Sequence, residues 1–256
     1  MSISLASLQR VRAERPPLIC VHGTPGVGKT TFAASAPGSV FIRTEDGLGN
    51  LEATAFPLAQ SFEDVCEAVT AMLTEDHDHQ WLVIDSLSAL EPLIWASVAK
   101  AEGKRHLEEL SYGKGYILAL DAWRWLLDQL MQLATKRGVG SILLAHSEIV
   151  RYEAPDVDAY DRAQIKLHKR AFGLIYERAD VIGYASPKVM VRKDQQAKGE
   201  AKRNLGIGTG QRELHLVERP AYIAKNRYSL PDTMALDWAT FAEALTASVQ
   251  PMAEAA

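Results

Sequence analysis

Gly23-Thr24-Pro25-Gly26-Val27-Gly28-Lys29-Thr30 fits the Walker A spacing G-x-x-x-x-G-K-[ST]. It follows the apolar run Leu18-Ile19-Cys20-Val21, which reads as a buried strand, and it opens a helical stretch through Phe32 and Ala34. Strand, loop and helix in that order are the context the motif requires. The glycines let the backbone curl so that successive N–H groups face the β- and γ-phosphates of a nucleoside triphosphate, and the helix start adds its positive end. Lys29 is placed to reach the β/γ oxygens, and the Thr30 hydroxyl to ligate Mg2+. The expected nucleotide-binding residues are therefore Gly23, Thr24, Pro25, Gly26, Val27, Gly28, Lys29, Thr30 and Thr31, with ATP and Mg2+ as the expected ligands.

Outward from this loop, strand patterns alternate with helical ones, which predicts an α/β fold with a mostly parallel sheet flanked by helices. Val40-Phe41-Ile42 reads as a second strand and Trp81-Leu82-Val83-Ile84-Asp85 as a third. Between them Ser61 opens a helix, with Asp64 completing a capping box. A helix starts near Ser86 and stops near Gly103, where glycine suits the position after a C-cap. Tyr116, Leu120, Trp123, Leu127, Leu130 and Ala134 then form one apolar stripe, so Trp123 and Trp125 read as packing residues. Ser141-Ile142-Leu143-Leu144-Ala145 is a fourth buried strand. The polar stretch 148–166 reads as a loop leading into a short helix, and Val181-Ile182-Gly183-Tyr184 as a strand. The basic stretch 188–210 reads as a hairpin tip or loop, and Leu214-His215-Leu216-Val217 and Tyr222-Ile223-Ala224 as late antiparallel strands. Asp237 caps a last helix. The expected organisation is an N-terminal arm over 1–15, one core over 16–248 and a tail over 249–256.

The bulk numbers agree with one large domain: 256 residues, 47% hydrophobic and 23% charged. The net charge of −4 restricts any nucleic-acid contact to local basic patches. No apolar run approaches the ~20 residues of a membrane span, and the first residues lack the apolar centre of a signal peptide. Cys20 and Cys66 read as buried apolar fillers, so no disulfide framework is expected and the cytoplasm is the natural compartment.

Asp85 ends an apolar strand some sixty residues after the loop, where a carboxylate can hold Mg2+ opposite Thr30. Glu45 and Asp46 follow the second strand, whose end should border the same phosphate edge. Glu45 is the expected general base, with Asp46 second. His146 follows the fourth strand directly and is placed to sense the γ-phosphate, a role Ser147 could share. Asp76-His77-Asp78-His79 reads as a solvated turn.

This order of motifs resembles the RecA-like recombinase core over roughly residues 18–230. The resemblance rests on the phosphate loop; on Val40-Phe41-Ile42-Arg43-Thr44-Glu45, similar to the strand before that family's catalytic glutamate; on Leu82-Val83-Ile84-Asp85-Ser86-Leu87-Ser88-Ala89-Leu90, similar to its Walker B strand; and on Ala224-Lys225-Asn226-Arg227-Tyr228, similar to its late Lys-Asn-Lys segment. It implies a RecA-like P-loop ATPase fold and a homo-oligomer with ATP at the subunit interface, where Lys225 and Arg227 would reach the neighbouring subunit's nucleotide. The nearest subset is the small phage-encoded RecA-like ATPases of single-strand annealing and recombination, which share a histidine after the fourth strand. Bacterial recombinases carry a glutamine where this chain has His146. The resemblance further implies single-stranded DNA as partner, with a single-strand-binding protein as a second one. DNA contacts would fall on 103–115, with Lys104, Arg105, Tyr112 and Lys114, and on 148–170, with Arg151, Lys166, Lys169 and Arg170. Lys188, Arg192, Lys193, Lys198, Lys202 and Arg203 form a third basic stretch. Two other readings stay open at this level, a P-loop small-molecule kinase and a nucleotide-dependent assembly protein without DNA activity.

Overall fold

The computed structural model describes residues 4–8, 15–155, 157–193 and 204–249. Most of the expected arm and tail lie outside the described residues, as do Lys198, Lys202 and Arg203. The chain order is β1 (Leu18–Gly23), α1 (Lys29–Ala34), β2 (Ser39–Arg43), α2 (Phe62–Thr74), β3 (Trp81–Asp85), α3 (Leu87–Ala101), α4 (Lys114–Gln132), β4 (Gly140–Ala154), β5 (Val157–Ile165), α5 (Lys169–Arg178), β6 (Val181–Lys193), β7 (Asn204–His215), β8 (Lys225–Asn226), β9 (Thr233–Ala235) and α6 (Trp238–Val249).

The sheet runs β2-β3-β4-β1-β6-β7-β9. The first five of these strands are mutually parallel, and β7 and β9 continue the sheet antiparallel. The continuous apolar runs read from the sequence divide between two faces because side chains alternate along a strand. Leu18, Cys20, Leu82, Ile84 and Leu143 pack with Val69, Ile94, Trp123 and Ile175 from the larger helical layer. Ile19, Val21, Val83, Ile142 and Leu144 pack with Phe32 of α1 and with Trp238 and Phe241 of α6. A sheet buried on both faces leaves only its strand ends for chemistry.

The expected helix signals appear in place. The Ser61 hydroxyl accepts Asp64 N–H at 3.1 Å and Asp64 Oδ2 accepts Ser61 N–H at 3.0 Å. Gly103, at φ 67, follows the end of α3, and Asp237 Oδ2 accepts Thr240 N–H at 2.9 Å. His77 Nε2 lies 2.8 Å from Met72 O near the end of α2.

Two expectations fail, and a third is met in its arms. The polar stretch 148–166 is an antiparallel ribbon of β4 with β5, paired in register through Tyr152↔Tyr160 and Val150↔Arg162. Among its described residues only Ala163 and Ile165, at the end of β5, are buried, so no apolar run marks it. The hairpin expected over 188–210 is present in its arms, β6 paired antiparallel with β7 through Lys193↔Asn204, and residues 194–203 between them lie outside the described residues. The strand expected at Tyr222-Ile223-Ala224 is reduced to single bridges at Tyr222; the short strand is β8, where Lys225 and Asn226 pair with Ile182 and Val181.

Candidate active site

Strand register decides what meets at the carboxyl edge of the sheet. Gly23 is level with His146 and Ala185, and Asp85 with Arg43 and Leu144. The phosphate loop, Glu45, Asp85 and His146 therefore share one edge although they span more than 120 positions. They line a cleft of about 360 Å3 together with Pro25, Gly26, Gly28, Thr30, Thr31 and Arg212. A larger groove of about 510 Å3, between α2 and residues 56–59, lies away from these groups.

The loop itself is built as the motif requires. Gly26 and Gly28 have φ of 75° and 104°, conformations that L side chains rarely adopt. The first N–H groups of α1 have no acceptor one turn back and face the loop. Lys29 is buried, and its Nζ donates to Gly23 O and Thr24 O, both at 3.0 Å. Burial pushes the Lys29 ammonium below its ordinary pKa, against the pull of Asp85 and Glu45. Thr30 Oγ1 donates to Asp85 Oδ2 at 2.8 Å. Burial raises the Asp85 carboxyl above its ordinary range, and the Glu45 charge adds to that; the Thr30 bond and the Lys29 and His146 charges oppose it.

A clamp between strand ends aims Glu45 at the cleft. Ser86 N–H donates to Thr44 Oγ1 at 2.8 Å, the Thr44 hydroxyl donates to Ser86 O at 2.7 Å, and Thr44 N–H donates to Asp85 O at 2.9 Å. Glu45 Oε1 then lies 3.2 Å from His146 Nε2. Asp46 points elsewhere, with Arg43 at 4.0 Å and most of its side chain in solvent. His146 N–H donates to Ser88 Oγ at 3.0 Å, and the Ser88 hydroxyl donates to Lys166 O at 3.1 Å. Ser147 turns instead to His22, 2.8 Å from its Nδ1.

Lys225 and Arg227 are not brought to this cleft. They sit where β6 begins, at the opposite edge of the sheet. Lys225 Nζ donates to Tyr176 O at 2.6 Å and Glu177 O at 3.0 Å, and Arg227 donates to Asp180 Oδ1 at 3.3 Å and Glu177 O at 3.0 Å. The two basic segments do converge: Tyr116, just after 103–115, stacks on His168 with ring centroids 4.4 Å apart. Tyr112, Lys104 and Arg105 are exposed, and Lys114 pairs with Glu102 at 2.9 Å. Lys166, Lys169 and Arg170 flank His168 and are exposed, whereas Arg151 lies on the ribbon 3.4 Å from Asp161.

A family model described as an AAA domain matches residues 15–228, most of the chain and every cleft residue above. The chain belongs to the AAA domain family. A comparison with curated proteins finds no match. The family and the cleft agree on the coarse chemistry: this AAA domain is a P-loop nucleotide-binding ATPase domain with an α/β fold. No helix among the described residues is long and apolar enough to cross a membrane. Sequence reading missed two working parts of the AAA domain. The Thr44–Ser86 clamp carries no motif, and Arg212 fell between the stretch 188–210, read as a hairpin tip or loop, and the strand read from Leu214. One signal was present for Arg212: it stands two residues before the apolar Leu214, hence on the same strand face.

Proposed function

We propose that this AAA domain is a RecA-like, Mg2+-dependent ATPase that binds single-stranded DNA and supports phage-type recombination or strand annealing. The observation that carries the hydrolytic part is Glu45, held by the Thr44 clamp and His146 at the edge of the cleft that holds Lys29 and Asp85. Thr30 Oγ1 and Asp85 Oδ2, already 2.8 Å apart, are the hard oxygen donors that Mg2+ takes. Bound there, Mg2+ would neutralise charge on the β- and γ-phosphate oxygens. Lys29 exchanges its two loop carbonyls for phosphate oxygens. Glu45 accepts a proton from water as the water oxygen attacks the γ-phosphorus, and the bond to the ADP oxygen breaks. His146 holds Glu45 in position and links it through Ser88 to Lys166, on the segment proposed to meet DNA.

The DNA part is supported by the convergence of the two basic segments at the Tyr116–His168 stack, beside exposed cations and the exposed Tyr112 ring. Lys225 and Arg227 serve an adjoining copy in a homo-oligomer, in keeping with their distance from their own cleft. A single-strand-binding protein fits as a further partner, and the cytoplasm as the compartment. Steady-state ATP hydrolysis with and without oligonucleotide, beside a DNA-binding titration at ~50 mM salt, tests the proposal. Stimulated hydrolysis and salt-sensitive binding are expected. Absence of DNA binding at that salt removes the nucleic-acid half, and absence of hydrolysis removes the enzymatic half.

A further inference from the structure

Arg212 lines the nucleotide cleft, and no motif assigns it a role. Its backbone is fixed on both sides: it pairs with Pro187 of β6, and Leu236 N–H donates to its carbonyl at 3.0 Å. Two residues on, Leu214 is fully buried in the cluster that contains Phe32 of α1, which anchors this strand face to the phosphate-loop side of the sheet. The Arg212 side chain lies against Gly28 so closely that a Cβ there would meet its Nη1. Glycine at 28 thus serves two needs at once, the positive φ of the loop and the passage of a guanidinium. Among the described residues none forms a hydrogen bond or ion pair with that guanidinium, although the same cleft holds the carboxylates Glu45 and Asp85. An exposed arginine on a rigid strand, held against a phosphate loop and bonded to no described group, is arranged for an anion.

We infer that Arg212 is a phosphate-binding residue for the nucleotide of its own chain, donating its planar N–H fork to the phosphate oxygens from the β7 side of the loop. The inference rests on the ATP reading proposed above and adds a cation in cis to Lys29, separate from the trans-acting Lys225 and Arg227. It follows that an isolated subunit binds ATP without help from a neighbour.

The test is ATP titration, by calorimetry, of the full chain and its Arg212→Met and Arg212→Lys variants, with the melting temperature of each in the absence of nucleotide. Methionine keeps much of the side chain's packing and removes the charge; lysine keeps the charge and removes the fork. Arg212→Met is expected to weaken ATP binding by roughly tenfold or more while melting with the parent, and Arg212→Lys to fall between. An Arg212→Met variant that binds ATP within twofold of the parent overturns the inference alone. A parent chain that binds no ATP at all overturns the reading of the cleft on which it rests.

Discussion

Replacing Thr44 by valine keeps the shape of the side chain and deletes the hydroxyl that ties the end of β2 to the end of β3. Ser86 is fully buried, so its N–H, bonded to Thr44 Oγ1 at 2.8 Å, loses its partner with no water to replace it. An orphaned buried donor costs about 1–3 kcal/mol. The Ser86 carbonyl still accepts from Leu90 N–H at 2.9 Å and Ala89 N–H at 3.2 Å, so losing the bond from the Thr44 hydroxyl adds only about 0.5–1.5 kcal/mol. The sum, about 1.5–4.5 kcal/mol, corresponds to a fall in melting temperature of roughly 3–10 °C for a domain of this size. Because Glu45 is the next residue, loosening the clamp also moves the proposed base, and kcat should drop about tenfold while KM for ATP stays near the parent value. Thr44→Ser retains the hydroxyl and should lose less than half as much on both counts. Thermal melts and steady-state ATPase assays on the three proteins check this. Should Thr44→Val melt within 2 °C of the parent, or Thr44→Ser behave the same as Thr44→Val, the clamp is not what positions this edge.

Glu45→Gln should leave ATP binding within a fewfold of the parent and lower hydrolysis by about 100-fold or more, read by calorimetry beside a phosphate-release assay. Asp180 is buried, which disfavours its charge, yet the Arg15 bond at 2.8 Å, Leu18 N–H at 3.0 Å and Arg227 hold its carboxyl below the ordinary range. Its stabilising contribution is therefore complete above the ordinary carboxylate pKa and is lost as pH falls through the lower folded value; Asp180→Ala should cost about 3 kcal/mol at pH 7, with the loss shrinking in strong acid, in urea melts. Burial pushes Glu91 up to about 7, despite two bonds accepted from His168 N–H at 2.9 and 3.1 Å and with Glu148 adding to the rise. Between the ordinary value of 4.5 and about 7 the folded chain holds a proton that the unfolded chain has released, so this residue makes stability fall as pH rises; Glu91→Gln should flatten that slope in melts from pH 5 to 8.

What the sequence disclosed was whatever is encoded within a few neighbouring residues. The phosphate loop, the apolar runs of β1 and β3 and the Ser61–Asp64 capping box are local, so each was legible with its boundaries nearly right. The β4–β5 ribbon was not, because Tyr152, Tyr160 and Arg162 stabilise it by contacts across the strands, Arg162 lying 4.1 Å from the Tyr152 ring centre. Its buried positions among the described residues, Ala163 and Ile165, come only at the end of β5 and are too few to announce a ribbon in one dimension. β8 is two residues long and exists only because β6 offers it an edge. Arg212 required the pairing of β7 with β6 before its approach to Gly28 could be known.

The strand order supplies the reason the acids and the loop can act on one phosphate tail. β4 lies between β1 and β3, so the loop and Asp85 start from strands two spacings, about 10 Å, apart, and Glu45 starts one strand further out. That separation is bridged from both sides. Thr30 reaches Asp85 from the loop side at 2.8 Å, and His146, rising from β4 itself, reaches Glu45 at 3.2 Å. Burial at the strand end disfavours the Asp85 charge, and the Thr30 bond partly offsets that burial. Lys29, held on the loop carbonyls of Gly23 and Thr24, and Thr30, held on Asp85, would each give up those contacts to a triphosphate and a metal ion, so the groups that would take the two ligands sit on adjacent residues of one helix start. Glu45 follows directly on Thr44, whose bonds to Asp85 and Ser86 fix the end of β2 against the end of β3, so the acid is held beside those groups.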